Sequence, residues 1–255
     1  MKIRALITRP RVKGEQLARQ IEAANGAALC CPFIDISAGQ QFTKVSSLLA
    51  QLQPDDYIIA ISDNAVNYAN TSLINANRTW PQQINYIAVG PTTALSWQKY
   101  GINNAQVPDT HDSEGVLKLL ADASVEHKKF VILRGNGGRE TLAEDLTQRT
   151  GNVTYCEVYQ RTAPDYDPDM LINKWQQFAI NSVIITSGEI LGNLIKTIPY
   201  TALPWILNLH FIVPSQRIAA LAHTLGIEHV TIATGASNNS LFNAIKQLDM
   251  QIGIS

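Results

Sequence analysis

An internal duplication constrains the fold of this chain more than any other feature of its sequence. The segment around Leu17 recurs around Leu142, so the two copies are offset by about 125 residues. Further along, Y-I-I-A-I-S at 57–62 corresponds to S-V-I-I-T-S at 182–187. Solenoid repeats are only about 20–50 residues long. The longer period therefore indicates two related domains, and we expect a cleft between them.

The composition excludes several classes of protein. The 255 residues carry a net charge of −1 and contain no run of lysine or arginine, whereas a nucleic-acid partner requires clustered positive charge. The apolar run within 1–10 is too short for a signal peptide, and no stretch approaches membrane length. We therefore predict a cytoplasmic protein without a nucleic-acid or membrane partner. No apolar surface stripe stands out, which favours a monomer.

The three cysteines predict buried thiols and no metal site. Cys30, Cys31 and Cys156 all lie inside apolar strand patterns, where free cysteine behaves as a small hydrophobic residue. No histidine lies at the spacing expected of metal ligands. The cysteine pattern also agrees with a reducing compartment.

Short apolar runs alternate with amphipathic segments along almost the whole chain. The amphipathic segments keep the i, i+3, i+4 spacing of one-faced helices, as in Glu15–Ala24. Strands that are apolar on both faces and alternate with helices indicate parallel sheets covered on both sides. We predict an α/β fold with two such sheets. The predicted strands are 2–8, 28–34, 57–61, 84–89, 104–107, 129–134, 153–159, 182–186, 209–213 and 229–233.

Two connections are longer and more polar than ordinary β-to-α loops. They span 35–43 and 160–168 and occupy equivalent positions in the two copies. Such a pair is expected if the chain crosses twice between the domains, so that the copies interleave. The predicted boundaries are then a discontinuous domain of 1–34 with 169–255, a domain of 44–158, and crossings at 35–43 and 159–168.

Small polar residues and arginines follow nearly every predicted strand. Ligands of parallel α/β sheets bind beyond the carboxyl ends of the strands, near the free N–H groups of helix starts. These residues therefore predict a site for an anion, although each of them could instead be a helix N-cap. R-G-N-G-G-R (134–139) lacks the glycine and lysine signatures of dinucleotide and P-loop motifs, because Glu140 stands at the third glycine position. These features alone lead no further than a two-domain, anion-binding α/β protein.

Seven short motifs, taken in order, resemble the uroporphyrinogen-III synthase family over essentially the whole length. They are L-I-T-R-P (6–10) followed by G-x-x-L-A, S-x-N-A-V (62–66), A-V-G-x-x-T-A (88–94), S-E-G-V-L (113–117), L-R-G-x-x-G-R-x-x-L (133–142), E-V-Y-Q-R (157–161) and T-S-G-E-x-L (186–191). Each is weak alone, and their order and spacing carry the resemblance. One departure is Ile61, where the family often has threonine.

The resemblance implies two flavodoxin-like α/β domains joined by a two-stranded β-ladder. It implies an enzyme that closes hydroxymethylbilane, a linear tetrapyrrole with eight carboxylates, to uroporphyrinogen III with inversion of ring D and loss of water. No metal or organic cofactor is implied. The expected substrate-binding residues are Thr8, Arg9, Ser62, Asn64, Ala65, Thr92, Thr93, Arg134, Gly135, Arg139, Thr186, Ser187, Gly188 and Ser215. Arg161 and Arg217 are further candidates for carboxylate pairing, and a surface ion pair is the alternative for each arginine.

For catalysis, the resemblance points to Tyr159 in E-V-Y-Q as the proton donor to the leaving hydroxyl. The alternative is that Tyr159 only packs between the crossings. Two other functions remain open: a two-lobed protein that binds an anionic small molecule without catalysis, and a two-domain glycosyltransferase-like enzyme. The absence of an export signal argues against the first, and the absence of a nucleotide-sugar motif argues against the second.

Overall fold

The computed structural model describes residues 2–138 and 140–254, with side chains up to 250. Its strands are β1 Arg4–Ile7, β2 Ala27–Cys30, β3 Asp35–Ala38, β4 Tyr57–Ala60, β5 Asn85–Ala88, β6 Lys129–Gly135, β7 Asn152–Thr162, β8 Ser182–Ile184, β9 His210–Val213 and β10 Val230–Ile232. Its helices are α1 Arg11–Ala23, α2 Val45–Leu49, α3 Asp63–Asn75, α4 Pro91–Gln98, α5 Ser113–Leu119, α6 Thr141–Gln148, α7 Pro168–Gln177, α8 Gly188–Thr197, α9 Leu203–Leu207, α10 Gln216–Thr224 and α11 Asn238–Ile254.

The chain divides into two compact units. Unit 1 comprises Met1–Asp35 and Thr162–Ser255, and unit 2 comprises Ile36–Arg161. The divisions fall inside the two segments that the sequence assigns to crossings, one after Asp35 and the other after Arg161.

Strand order shows that the two copies interleave. Over the described residues, the sheet of unit 1 has the order β10-β9-β8-β1-β2 and that of unit 2 the order β3-β7-β6-β4-β5. The strand–helix–strand element that opens each copy therefore lies in the sheet completed by the other copy. The β1/β2, β1/β8, β8/β9 and β9/β10 pairs are parallel, as are β4/β5, β4/β6 and β6/β7. The predicted α/β class and interleaved crossing are confirmed.

Both faces of the unit 2 sheet are buried. Along β4, Ile58 packs with α3 and α4 in one apolar cluster, and the next residue, Ile59, packs with α5 and α6 in another. Val131 and Ile132 of β6 divide between the same two clusters. This two-sided burial explains why the strands of a parallel sheet read as continuous apolar runs. In unit 1, residues of β1, β8 and β9 form an apolar cluster with residues of α1 and α11.

Two strand predictions are wrong. The segment 104–107 forms only an isolated bridge, Ile87 to Gln106, rather than a strand. Conversely, the polar segment predicted as a crossing begins with β3, a short edge strand that is largely exposed. It joins the sheet beside β7, where the Gly39 amide donates to the Val158 carbonyl at 3.0 Å. An edge strand buries little apolar surface, so its sequence lacks the pattern that marks a central strand.

Candidate functional site

An irregularity in β7 places Tyr159 at the carboxyl end of the unit 2 sheet. Arg134 of β6 pairs with Glu157, but the following residue, Gly135, pairs with Tyr159, so that β7 carries one extra residue. Such bulges bend a strand and re-aim its side chains, and they occur often beside active sites. Tyr159 is 4% exposed and belongs to the apolar cluster that includes residues of α3 and α4. The carboxyl end of a parallel sheet is where ligands of this fold class bind.

The Tyr159 hydroxyl meets the start of helix α3. Its oxygen lies 3.2 Å from Ser62 Oγ, and either hydroxyl can be the donor. Ser62 is the N-cap of α3, and its Oγ also accepts from the Ala65 amide at 3.2 Å. The unpaired N–H groups of a helix start make this a position that favours negative charge. The two hydroxyls therefore stand beside a place suited to an oxyanion or a carboxylate.

Gly135 and Tyr68 hold the ring of Tyr159 in place. A Cβ atom on Gly135 would lie 2.6 Å from Cζ of Tyr159 and 3.0 Å from its hydroxyl oxygen. Tyr68 of α3 stacks on the ring with centroids 6.0 Å apart, and its own hydroxyl donates to the Ile36 carbonyl at 2.8 Å. These contacts restrict the position of the ring and of its hydroxyl oxygen, as positioned proton transfer requires.

The remaining predicted residues of unit 2 differ in what they offer a ligand. Thr92 is exposed in the first turn of α4, next to the end of β5, whereas Thr93 is 2% exposed and faces the core. Asn64 is half-buried in the first turn of α3 beside the buried Ala65. Arg139 lies outside the described residues. Ser62, Gly135 and Tyr159 are thus the predicted residues that the structure brings into one contact group.

Arg134 is a buried arginine with an internal partner. It is 3% exposed, its Nη1 lies 3.1 Å from Glu140 Oε1, and its guanidinium stands 4.3 Å from the centroid of the Tyr155 ring. Burial, followed by the nearby Glu140 carboxylate, raises the pKa of Tyr155. The arginine lines a cavity of about 290 Å³, but its charge is already neutralised by a carboxylate of the same unit.

In unit 1, Thr8 is used inside the protein. It is fully buried after β1, and its hydroxyl donates to the Ile184 carbonyl of β8 at 2.6 Å. The bond ties two neighbouring strands at their carboxyl ends. Because a buried hydroxyl that serves a backbone carbonyl is not available to a ligand, the geometry gives Thr8 a structural role.

Arg9 is a buried arginine that has no charged partner in the described part of the chain. It is 7% exposed, and its Nη1 donates to Asn238 Oδ1 at 2.6 Å. Within residues 2–138 and 140–250, its Nε has no hydrogen-bond partner. Burial lowers the pKa of the Arg9 guanidinium. Among the described residues no carboxylate forms an ion pair with it, which distinguishes Arg9 from Arg134.

Two further helix starts complete the carboxyl edge of the unit 1 sheet. Ser187 follows β8 and caps α8, accepting from the Ile190 amide at 3.2 Å, with the half-buried Thr186 and Gly188 on either side. Ser215 follows β9 and is the N-cap residue of α10 by position, although its side chain makes no capping bond. β1, β8 and β9 are neighbours in one sheet, so these residues share an edge with Arg9.

Three residues of these sites were not predicted from the sequence: Tyr68, Glu140 and Asn238. The sequence S-N-N-S at 237–240 is typical of a helix N-cap, and it would have placed a helix start there. No local signal gives its distance from Arg9, which is far away along the chain. Within the described ranges no three metal-ligating side chains cluster, and no helix is long and apolar enough to cross a bilayer.

The chain matches a family model described as uroporphyrinogen-III synthase HemD over residues 15–243. It is 37% identical over 243 residues to the uroporphyrinogen-III synthase of Escherichia coli strain K12, covering 94% of this chain and 99% of that protein. The enzyme of the same name from Salmonella typhimurium is 36% identical, again over 94% and 99% of the two chains.

Solved structures resemble the fold at low sequence identity. A mutant uroporphyrinogen III synthase from the extremely thermophilic bacterium Thermus thermophilus superposes with a TM-score of 0.65 at 13% identity, covering 99% of this chain and 100% of that chain. The uroporphyrinogen-III synthetase of Helicobacter pylori 26695 gives a TM-score of 0.58 at 15% identity, covering 97% and 100%.

Proposed function

The chain belongs to the uroporphyrinogen-III synthase family, and on that premise we propose that it closes hydroxymethylbilane to uroporphyrinogen III with loss of water. This makes it a cyclising lyase of tetrapyrrole biosynthesis. The observation that carries the proposal is the hydroxyl pair of Tyr159 and Ser62, 3.2 Å apart at the start of α3.

We assign the acid role to Tyr159. A phenol O–H can act as a proton donor, and Tyr159 gives its proton to the hydroxymethyl oxygen of the substrate, which leaves as water. The cation so formed is attacked by a carbon of ring D, and the closed macrocycle later loses a proton that restores the phenol. Between turnovers the phenol oxygen stays within hydrogen-bond distance of Ser62 Oγ, which holds it at the start of α3.

Positioning is the larger part of catalysis. A linear bilane closes without an enzyme to the uninverted isomer, so the protein must hold the chain in the conformation that leads to inversion of ring D. Orientation of this kind lowers a barrier without a strong chemical catalyst. Many weak donors suit the task better than a set of fixed cations, because the eight carboxylates persist in the product and tight pairing would slow its release.

Those donors come from helix starts. We propose that substrate carboxylates meet the first turns of α3, α4, α8 and α10. In unit 2 these turns contain Ser62, Asn64, Ala65 and Thr92, and in unit 1 they contain Ser187, Gly188 and Ser215. A helix N-terminus acts as roughly half a positive charge, which attracts a carboxylate without the desolvation cost of a buried cation.

Product analysis tests the proposal. Fresh hydroxymethylbilane is incubated with the protein, the product is oxidised, and isomers I and III are separated. We expect isomer III to form faster than isomer I forms in buffer alone. Isomer I at the uncatalysed rate would refute the assignment. Tight binding of the bilane without any isomer III would instead support a two-lobed binding protein.

We further propose a cytoplasmic, monomeric protein. Cys30, Cys31 and Cys156 are free thiols, as is usual in a reducing compartment. Burial raises the pKa of the Cys156 thiol to about 12, which keeps it protonated and unreactive. Light scattering on a sizing column at micromolar concentration is expected to give the mass of one chain, 28.0 kDa.

A further inference from the structure

Arg9 and Arg134 occupy equivalent positions in the two copies, and the structure gives them different surroundings. Arg9 follows β1, the opening strand of the first copy, and Arg134 lies near the end of β6, the opening strand of the second, at the offset that also relates Glu15 to Glu140. In unit 2 the glutamate reaches its arginine, since Glu140 Oε1 lies 3.1 Å from Arg134 Nη1. In unit 1 the equivalent Glu15 lies instead 3.8 Å from Arg11 on the exposed face of α1. Each copy therefore contains a buried arginine, and of the two only Arg134 forms an ion pair with a carboxylate among the described residues.

The Arg9 site is built around an unneutralised charge. Gly14 of α1 makes room for it, because a Cβ there would lie 3.2 Å from the Arg9 carbonyl oxygen and 3.6 Å from its Cγ. Asn238 is held by its Nδ2, which donates to the Lys13 carbonyl at 3.1 Å, and its Oδ1 accepts from Arg9. These contacts fix the guanidinium while leaving its Nε without a partner.

The same arginine stands at the start of the longest helix. Asn238 is the first residue of α11, and the Ser237 hydroxyl accepts from the Ser240 amide at 3.1 Å in that turn. A helix start carries partial positive charge, so a buried cation beside it is unfavourable unless an anion also binds there. Two independent features, the partnerless Nε and the adjacent helix start, therefore point to an anionic ligand.

We propose that Arg9 and the first turn of α11 form a receptor for one carboxylate of the tetrapyrrole, and that Arg134 is a structural copy already occupied by Glu140. This inference rests on the proposed function, because the function supplies the carboxylate. A guanidinium and a carboxylate form charge-assisted, often bidentate hydrogen bonds. One edge of that fork is formed by Nε and a terminal nitrogen, and the Nε of Arg9 is buried and without a partner among the described residues.

Binding of uroporphyrin tests the difference between the two arginines. This oxidised form of the cyclic product keeps all eight carboxylates and is fluorescent, so its Kd is measured by fluorescence titration of native protein, Arg9→Gln, Arg9→Lys and Arg134→Gln. We expect Arg9→Gln to raise Kd about tenfold or more, as for loss of a hydrogen bond to a charged group. Arg9→Lys should give an intermediate Kd, because it keeps the charge and loses the fork.

Thermal melting separates binding from folding. Arg9→Gln is expected to keep or raise the melting temperature, since it removes a buried charge without a carboxylate partner. Arg134→Gln is expected to lower the melting temperature, because Glu140 and Tyr155 lose their cation, and to leave Kd within about twofold of native. A Kd for Arg9→Gln that matches the native value, or an equal loss in Arg134→Gln, would overturn the inference.

The two proposals fail in different ways. If the native protein forms only isomer I from hydroxymethylbilane, the proposed function fails, and the receptor proposal loses its premise. If it forms isomer III while Arg9→Gln binds uroporphyrin as native protein does, only the role of Arg9 fails.

Discussion

Replacing Tyr159 by phenylalanine removes one oxygen atom from unit 2 and leaves the ring in place. Among the described residues, the oxygen has one hydrogen-bond contact, to Ser62 Oγ at 3.2 Å, and the ring keeps its stacking on Tyr68. Ser62 retains its capping bond to the Ala65 amide. Helix α3 should therefore keep its start, and the fold should lose only the hydroxyl pair.

The two readouts of this change differ in size. A hydrogen bond of this kind contributes about 0.5–1.5 kcal/mol to the free energy of unfolding. A positioned general acid contributes about 10²–10⁴-fold to a rate, which corresponds to roughly 3–5 kcal/mol. If the phenol is the acid, Tyr159→Phe should lose at least about 100-fold in the rate of isomer III formation while losing about 1 kcal/mol of stability.

Tyr68→Phe is the matched control. It deletes a hydroxyl from the neighbouring ring, one that donates to the Ile36 carbonyl at 2.8 Å. The expected stability loss is similar, about 1 kcal/mol, and the rate should remain within about threefold of native if only the Tyr159 hydroxyl takes part in the reaction. Initial rates of isomer III and urea unfolding curves are measured on all three proteins. Near-native turnover in Tyr159→Phe, or equal losses in both variants, would remove Tyr159 from the mechanism.

Three further changes test the account at other points. Gly135→Ala places a Cβ 2.6 Å from Cζ of Tyr159, and this overpacking should lower the free energy of unfolding in urea by about 1–3 kcal/mol. It should also slow isomer III formation by more than about tenfold, because the phenol is displaced. A native rate would contradict this. Thr8→Val removes the bond to a β8 carbonyl and should lower stability by about 1 kcal/mol with an unchanged KM, whereas a raised KM would show that the hydroxyl meets substrate. Burial, and then the neighbouring His229 ring, lower the pKa of His210. The contribution of His210 to the free energy of unfolding is therefore fully present above its unfolded pKa of about 6.5. That contribution is lost as pH falls from there towards the folded pKa, because the unfolded chain takes up the proton first. His210→Gln should flatten the unfolding free energy between about pH 7.5 and 5, and a curve as steep as that of the native protein would assign the pH dependence to other groups.

Interleaving of the copies follows from the sequence because two long-range signals agree. The repeat sets which strands are equivalent, and the long connections occur at matching places in both copies. Neither signal identifies β3, since Asp35–Ala38 is a short, exposed edge strand whose residues bury little. Nor do they show that 104–107 forms a single bridge through Gln106, because one parallel contact leaves no periodic pattern.

The sequence predicts which residues belong to the site, but it does not predict which of them contact each other. Ser62 and Tyr159 each belong to a recognisable motif, but their 3.2 Å approach depends on the extra residue in β7. A bulge of one residue changes which way a side chain points and has no signature in composition. The same holds for the arginines: Glu140 neutralises Arg134 while Arg9 meets Asn238, and only the folded backbone separates those outcomes.

The isomer ratio of the product is the most direct test of the central claim. Hydroxymethylbilane is supplied to the native protein with no added metal or cofactor, and isomers I and III are quantified over time against a protein-free sample. The account predicts isomer III in excess from the first time points, at a rate proportional to protein concentration. A product that stays isomer I at every protein concentration would contradict it.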